Sequence, residues 1–174
     1  MTGTRFLNGV SRRALATLGA ALAVTFLALT PGTASAGDGD RQITKLRITI
    51  LTADDNLRQA SRAVAALKYE NAYGEVLSAG GHLNNAAEWP NWSSRTVDIL
   101  MPTGVVLSRL HEFSIQFTSG QPDIFSTGDN WNMASVLVVG ILDDESELVL
   151  VNQANSPYLH RFKSDAFTRW ATPL

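Results

Sequence analysis

The sequence predicts an all-β protein: a single antiparallel β-sandwich of about eight strands that follows a cleaved N-terminal signal peptide. Several segments alternate apolar and polar residues with a period of two, which is typical of half-buried strands. Clusters of turn-forming residues separate these segments, and no long amphipathic helix is evident. Short strands joined by turns are the pattern of a sandwich.

An export signal is indicated by the order of features in residues 1–36. Three arginines without an acid are followed by an apolar stretch at 15–29 and by the small-residue site Ala34-Ser35-Ala36. We expect cleavage after Ala36, which leaves residues 37–174 as one secreted, extracellular domain. The apolar stretch is short for a bilayer and Pro31 follows it, so a retained transmembrane segment is the weaker interpretation.

The export route has two interpretations. Ser11-Arg12-Arg13 resembles a twin-arginine signal, which would carry the protein across the membrane already folded. Ala16 and Thr17 depart from the usual continuation of that signal, so the ordinary secretory route also fits the sequence.

Charge and cysteine content exclude two classes of protein. Three of the 14 basic residues and none of the 16 acids precede residue 37, so the mature chain has 11 bases against 16 acids, a net charge of −5. Nucleic-acid binding requires clustered basic residues and is therefore not expected. The chain has no cysteine, which excludes disulfides and thiolate metal sites.

The predicted strands follow one another along the mature chain with turns between them. Segments with strand character are 46–50, 97–99, 113–117, 133–138, 148–151 and 158–162. Turn-forming clusters lie at 53–56, 79–85, 118–129, 143–146 and 152–157. The longest stretch without strand character is 79–93. In segment 57–69, Leu57, Ala60, Val64 and Leu67 fit a helical stripe, so propensity alone predicts a helix there.

Catalytic motifs do not stand out. The three histidines have no metal-ligand spacing, and no Gly-x-Ser-x-Gly elbow occurs. We therefore expect a non-enzymatic protein, with a small hydrolase of unrecognised site as the alternative.

Acidic loops next to predicted strands are the candidate metal ligands. Asp54 and Asp55 follow the first strand, and Asp129 precedes the sixth, beside the candidate ligand-binding residue Asn130. If the strands alternate in direction, both loops lie at one end of the sandwich. Carboxylate oxygens suit calcium, so we expect these three aspartates to contribute to one calcium site.

Two tryptophans are candidates for an exposed binding surface. Trp89 and Trp92 flank Pro90 and Asn91 in a polar loop, and strand parity places this loop at the same end. Aromatic rings in such loops contact sugar rings or membrane interfaces, or else plug the end of a sandwich. Trp131, at the entrance of a strand, is expected to pack in the core.

Taken in order, several segments of the chain resemble a PLAT/LH2 domain. They are Leu46-Arg47-Ile48-Thr49-Ile50-Leu51-Thr52 with the Asp54-Asp55 turn, the strand pair at 96–100 and 113–117, the pattern Trp131-x-Met133-x-x-Val136-x-Val138, and the ending at 162–170. This resemblance implies a loop followed by a strand at 62–69, in place of the helix. Where the family has Gly-Thr-Asp, this chain has Gln59-Ala60-Ser61.

PLAT/LH2 domains are β-sandwiches that dock lipids, membranes or proteins without catalysis, often with calcium in their end loops. The resemblance therefore implies a secreted binding module, with Asp54, Asp55 and Asp129 as calcium ligands and Trp89, Trp92 and Asn130 as ligand-binding residues. Its expected partner is a lipid, membrane or carbohydrate surface. A protein partner, as for a secreted effector or inhibitor, is the alternative.

The exported protein should begin at Gly37, because Ala34-Ser35-Ala36 is the best small-residue site near the end of the apolar stretch. N-terminal sequencing of protein recovered outside the cell checks this expectation. A start more than a few residues away, or an intact N-terminus in the membrane fraction, would contradict it.

Overall fold

The computed structural model describes residues 40–121, 127–164 and 166–174, so the expected signal peptide lies outside the described residues. These residues form nine strands. The strands are β1 (Ile43–Thr52), β2 (Arg62–Glu70), β3 (Val76–His82), β4 (Ser94–Leu100), β5 (Leu110–Thr118), β6 (Trp131–Leu142), β7 (Glu147–Ala154), β8 (His160–Phe162) and β9 (Arg169–Pro173). A short 3-10 turn at Leu107–Arg109 precedes β5.

Two antiparallel sheets face each other, which confirms the predicted all-β sandwich. One sheet has the strand order β4-β1-β6-β7, and the short β8 pairs with the beginning of β6. The other has the order β3-β2-β5-β9. Within the described ranges, no helix is long and apolar enough to cross a bilayer.

The core is formed by the inward-facing residues of the alternating segments. On β5, Phe113, Ile115 and Phe117 are fully buried, as the alternation predicts for one face of a strand. Ile48 and Ile50 of β1 are equally buried. These strands thus hold together by burying one apolar face of each sheet against the other.

Residues 57–69 form a loop followed by a strand, not a helix. In β2, Ala63, Ala65 and Leu67 are buried on one face, and the strand pairs with both β3 and β5. A helix would leave the edge of β5 unpaired and would turn the alternating residues away from the core. Sheet pairing therefore overrides the local helical propensity.

β3 occupies residues that the sequence analysis assigned to turns. The interpretation of 79–82 as part of a turn cluster is wrong, because these residues belong to the edge strand β3. The residues of β3 are largely exposed, so they show no apolar alternation that would predict a strand. The glycines of β3 have no side chain and therefore also interrupt any alternation of apolar and polar residues. A side chain on Gly80 would meet the carbonyl oxygen of Ala65 at 1.9 Å, so the close approach of β2 requires glycine there.

One end of the sandwich, which we call the rim, gathers the loops of interest. β1 ends there, and the antiparallel pairings bring the end of β5 and the beginnings of β4 and β6 to the same side. The rim comprises the β1–β2 loop (53–61), the β3–β4 loop (83–93), the described parts of the β5–β6 loop (119–121 and 127–130) and those of the β8–β9 loop (163–164 and 166–168).

Ile115→Ala should lower the free energy of unfolding by about 2–5 kcal/mol, because it removes a fully buried aliphatic side chain and leaves a cavity. Ser114→Ala, on the opposite face of the same strand, should cost about 1 kcal/mol or less. Chemical denaturation of both variants measures the difference. Equal losses would mean that the register of β5 is wrong.

Candidate functional site

Backbone hydrogen bonds tie three loops together at the rim. The N–H of Ala53 donates to the carbonyl of Asn132 (2.7 Å), and the N–H of Asn132 donates to the carbonyl of Asp55 (3.1 Å). The N–H of Trp92 donates to the carbonyl of Ala53 (3.0 Å). The loop after β1, the residues around the start of β6 and the Trp89–Trp92 loop therefore meet, as strand parity predicted.

Beneath these loops lies an aromatic cluster centred on Trp131. The ring of Trp131 stacks on Phe162 with a centroid separation of 4.8 Å, and Phe117 lies 6.4 Å away. Trp89 packs edge-on against Trp131 at 5.9 Å. The expectation that Trp131 packs in the core is confirmed.

The two candidate binding tryptophans have different environments. Trp89 is only 3% exposed, and its backbone bridges to Leu57, so the prediction that it presents an exposed aromatic surface is wrong for this residue. It plugs the end of the sandwich, where burying a large ring excludes water from the cluster. Trp92 is 63% exposed and projects from the rim.

Phe167, which the sequence analysis did not single out, is a second exposed aromatic residue at the rim. Its ring is 65% exposed, and the Lys163 ammonium lies 5.5 Å from the ring centroid. Its carbonyl oxygen lies 3.3 Å from Nε2 of His160. Burial lowers the pKa of His160 below its ordinary value, and the contact with this carbonyl partly opposes the shift.

Trp92 and Phe167 share an unusual backbone conformation. Their φ angles are +60° and +52°, in the left-handed region that bulky residues rarely adopt. This conformation costs about 1–2 kcal/mol for a residue with a Cβ atom. Strained backbone of this kind clusters at functional sites.

The two rings lie on opposite sides of the rim. Trp92 precedes β4, at one edge of the first sheet, and Phe167 lies in the loop between β8 and β9, beyond β1 and β6. Polar and charged side chains lie between them. The arrangement is two projecting aromatic tips around a polar centre.

Asp129 is a buried carboxylate in this polar centre. Its side chain is 1% exposed, and Oδ2 accepts a hydrogen bond from the backbone N–H of Arg58 (3.0 Å). The guanidinium Nε of Arg58 lies 3.2 Å from Oδ1. The backbone N–H of Asp129 donates to the hydroxyl of Ser119 (2.6 Å).

Asp54 and Asp55 are also engaged by neighbouring side chains. Oδ1 of Asp54 accepts a hydrogen bond from Nδ2 of Asn132 (2.7 Å), and the carboxylate of Asp55 lies 3.7 Å from Nη2 of Arg161 on β8. Burial raises the pKa of Asp55 above its ordinary value, while the charge of Arg161 opposes this shift. Asp129 and Asp54 are near enough to raise it further.

Asn130, the candidate ligand-binding amide, holds a neighbouring loop. Its Oδ1 accepts a hydrogen bond from the backbone N–H of Ser164 (3.3 Å), in the β8–β9 loop that carries Phe167. The structure thus gives Asn130 a role in positioning that loop. Its expected ligand contact stays a prediction.

The acidic residues meet at the rim, but their contacts do not fit a calcium ion. Within the described ranges, no group of three or more His, Asp or Glu side chains is placed to hold a metal. Two of the three aspartates face guanidinium groups and the third accepts an amide hydrogen bond. Calcium binding by these aspartates stays a prediction from the sequence.

The three histidines lie apart. His82 is exposed on β3, His111 lies 3.9 Å from Glu70, and His160 packs edge-on against Phe162. Across the described part of the chain, no serine or threonine hydroxyl is hydrogen-bonded to an imidazole ring. 

No protein-family model matches the chain, and no curated protein matches it. Solved structures to which it is similar include the alpha-toxin of Clostridium absonum (TM-score 0.47, 15% identity, covering 74% of this chain and 32% of that one). The alpha-toxin of an avian strain of Clostridium perfringens has a TM-score of 0.47 at 11% identity, covering 74% of this chain and 31% of that one. A LOX deletion variant in complex with arachidonate has a TM-score of 0.40 at 11% identity, covering 75% of this chain and 16% of that one.

The chain spans about a third of the length of these toxin chains and a sixth of the LOX chain. At such identities the likeness is one of fold and not of function. The two antiparallel sheets described above form the all-β sandwich that the sequence predicted.

Proposed function

We propose that this protein is a secreted, non-catalytic binding module that docks onto a lipid surface through its rim. The observation that carries the proposal is the pair of exposed aromatic side chains, Trp92 and Phe167, each held on a left-handed backbone at the same end of the sandwich. Burying either ring in a bilayer interface would remove a large apolar area from water.

The strained backbone supports a role in binding, as opposed to stability. Glycine adopts a positive φ without penalty, so a sequence selected only for stability would favour glycine at both positions. Trp92 and Phe167 instead carry large apolar rings that contribute little to the core, since each is more than 60% exposed. A partner that covers the two rings would explain why large apolar side chains are kept at positions where the backbone is strained and the ring is exposed to solvent.

The shape of the rim favours a lipid surface over a single sugar ring. Trp92 lies at the β4 edge and Phe167 in the β8–β9 loop, and two separated rings suit simultaneous contact with a broad surface. Two surface cavities, of about 530 and 230 Å³, are lined by other residues and include neither ring. Lys163, whose ammonium lies 5.5 Å from the centroid of the Phe167 ring, places positive charge where lipid phosphates would lie.

Trp92→Gly and Phe167→Gly should each weaken binding to phosphatidylcholine vesicles about tenfold, which corresponds to about 1.4 kcal/mol of lost apolar burial. Both variants should keep the melting temperature of the unsubstituted protein or exceed it, because glycine relieves the positive φ. Vesicle co-sedimentation and thermal melting measure the two effects separately.

The matched control is Tyr73→Gly, which removes an 89% exposed ring from the β2–β3 turn at the opposite end. It should leave vesicle binding unchanged. If the unsubstituted protein does not sediment with vesicles but is retained on a polysaccharide matrix, the partner is a carbohydrate surface. Equal losses from the Tyr73 and Trp92 variants would show that the rim is not the docking surface.

A further inference from the structure

The rim cross-links loops in the way that a bound divalent cation would, but it does so with arginine side chains. Arg58 lies in the β1–β2 loop and contacts Asp129 of the β5–β6 loop through both its backbone N–H and its Nε. Its Nη1 lies 3.4 Å from the carbonyl oxygen of Thr127, on the same loop. One side chain therefore joins the two loops that the sequence analysis expected a calcium ion to join.

A second arginine joins the same region to the short strand β8. Nη2 of Arg161 lies 3.7 Å from the carboxylate of Asp55, and Asp54 accepts its hydrogen bond from Asn132. Each of the three aspartates therefore already faces a donor from the protein. The two arginines supply two positive charges, which equal the charge of one calcium ion.

Three buried side-chain oxygens at the rim have no hydrogen-bond partner among the described residues and mark where an ion could bind. They are Oδ1 of Asp129, Oδ1 of Asn132 and Oγ of Ser93. Oδ1 of Asp129, however, lies 3.2 Å from Nε of Arg58, so an ion bound to this oxygen would lie close to a guanidinium charge. Repulsion between like charges opposes that arrangement, all the more strongly at a site with little access to water.

We propose that Arg58 and Arg161 act as the built-in cations of the rim, so that its loops are held together without a divalent metal. Arg58 is the principal one, because its partner Asp129 is buried and would otherwise carry an uncompensated charge. Arg161 is the weaker contact, since its separation from Asp55 is longer and both side chains are partly exposed. This proposal concerns the folded protein alone, so it stands or falls independently of lipid docking.

Thermal melting of the purified protein with excess calcium chloride and with excess EDTA tests the proposal. We expect the same melting temperature in both, within about 1 °C, because a ligand that does not bind the native state cannot stabilise it. A rise with calcium that EDTA reverses would overturn the proposal and support the calcium site expected from the sequence.

Variants separate the charge contact from general effects of the substitution. Arg58→Gln should lower the melting temperature in EDTA by about 5 °C or more, because the carboxylate of Asp129 stays buried without its counter-charge. Arg95→Gln is the matched control: Arg95 is exposed on β4, and its side chain makes no hydrogen bond or ion pair with another described residue. It should leave the melting temperature unchanged.

The double variant Arg58→Gln, Asp129→Asn keeps the proposal testable if the single variant Arg58→Gln fails to fold. It replaces the charged pair with two neutral amides of similar size and should recover most of the lost melting temperature. A double variant that melts no higher than Arg58→Gln would contradict the role of charge. An Arg58→Gln protein as stable as Arg95→Gln would contradict the proposal altogether.

Discussion

The aromatic cluster around Trp131 is the interaction on which the rim depends. Trp131 begins β6, Phe162 ends β8 and Phe117 lies near the end of β5, so one buried contact joins strands from both sheets at the same end. Trp89 adds the β3–β4 loop to this contact. Because these rings interlock beneath them, the loops above need only short hydrogen bonds and charge pairs to hold their shape.

A buried carboxylate lies close to this cluster along the chain. Asp129 comes two residues before Trp131, and both side chains are buried. An unpaired charge in such a place would be strongly destabilising. Arg58 offsets this cost with its backbone N–H and its guanidinium group, and in doing so it orders the loop that leads into β2. The conformation of the rim loops thus depends both on the buried aromatic rings and on the charge pair between Arg58 and Asp129.

Much of the fold could be predicted from the sequence because alternation reports directly on which face of a strand is buried. β1, β5 and β6 were predicted on this basis, and strand parity alone brought the Asp54 and Asp129 loops to one end. The edge strand β3 could not be predicted this way, since exposed residues and glycines leave no alternating pattern. Segment 57–69 is the opposite case: its apolar residues fit a helical stripe, but pairing with β3 and β5 makes residues 62–70 a strand.

The rim itself was only partly predictable, for reasons that are physical. Trp89 and Trp92 look equivalent in sequence, and only the bridge between Trp89 and Leu57 decides which ring is buried. The pairing of Arg58 with Asp129 joins residues 71 positions apart, which no local pattern reveals. The sequence gives only a weak indication of Phe167, which is an aromatic residue in a polar stretch between two short strands. Its exposure depends on a positive φ, which cannot be inferred from the presence of a phenylalanine.

Docking through a pre-formed rim would bring Trp92 and Phe167 against a lipid surface without a metal. Hydrogen–deuterium exchange in EDTA, with and without phosphatidylcholine vesicles, tests it most directly because it maps the contact along the chain. Vesicles should slow exchange in the peptides that carry Trp92 and Phe167 and leave exchange in the turn around Tyr73 unchanged. Slowed exchange around Tyr73 instead, or protection at the rim that appears only when calcium replaces EDTA, would contradict it.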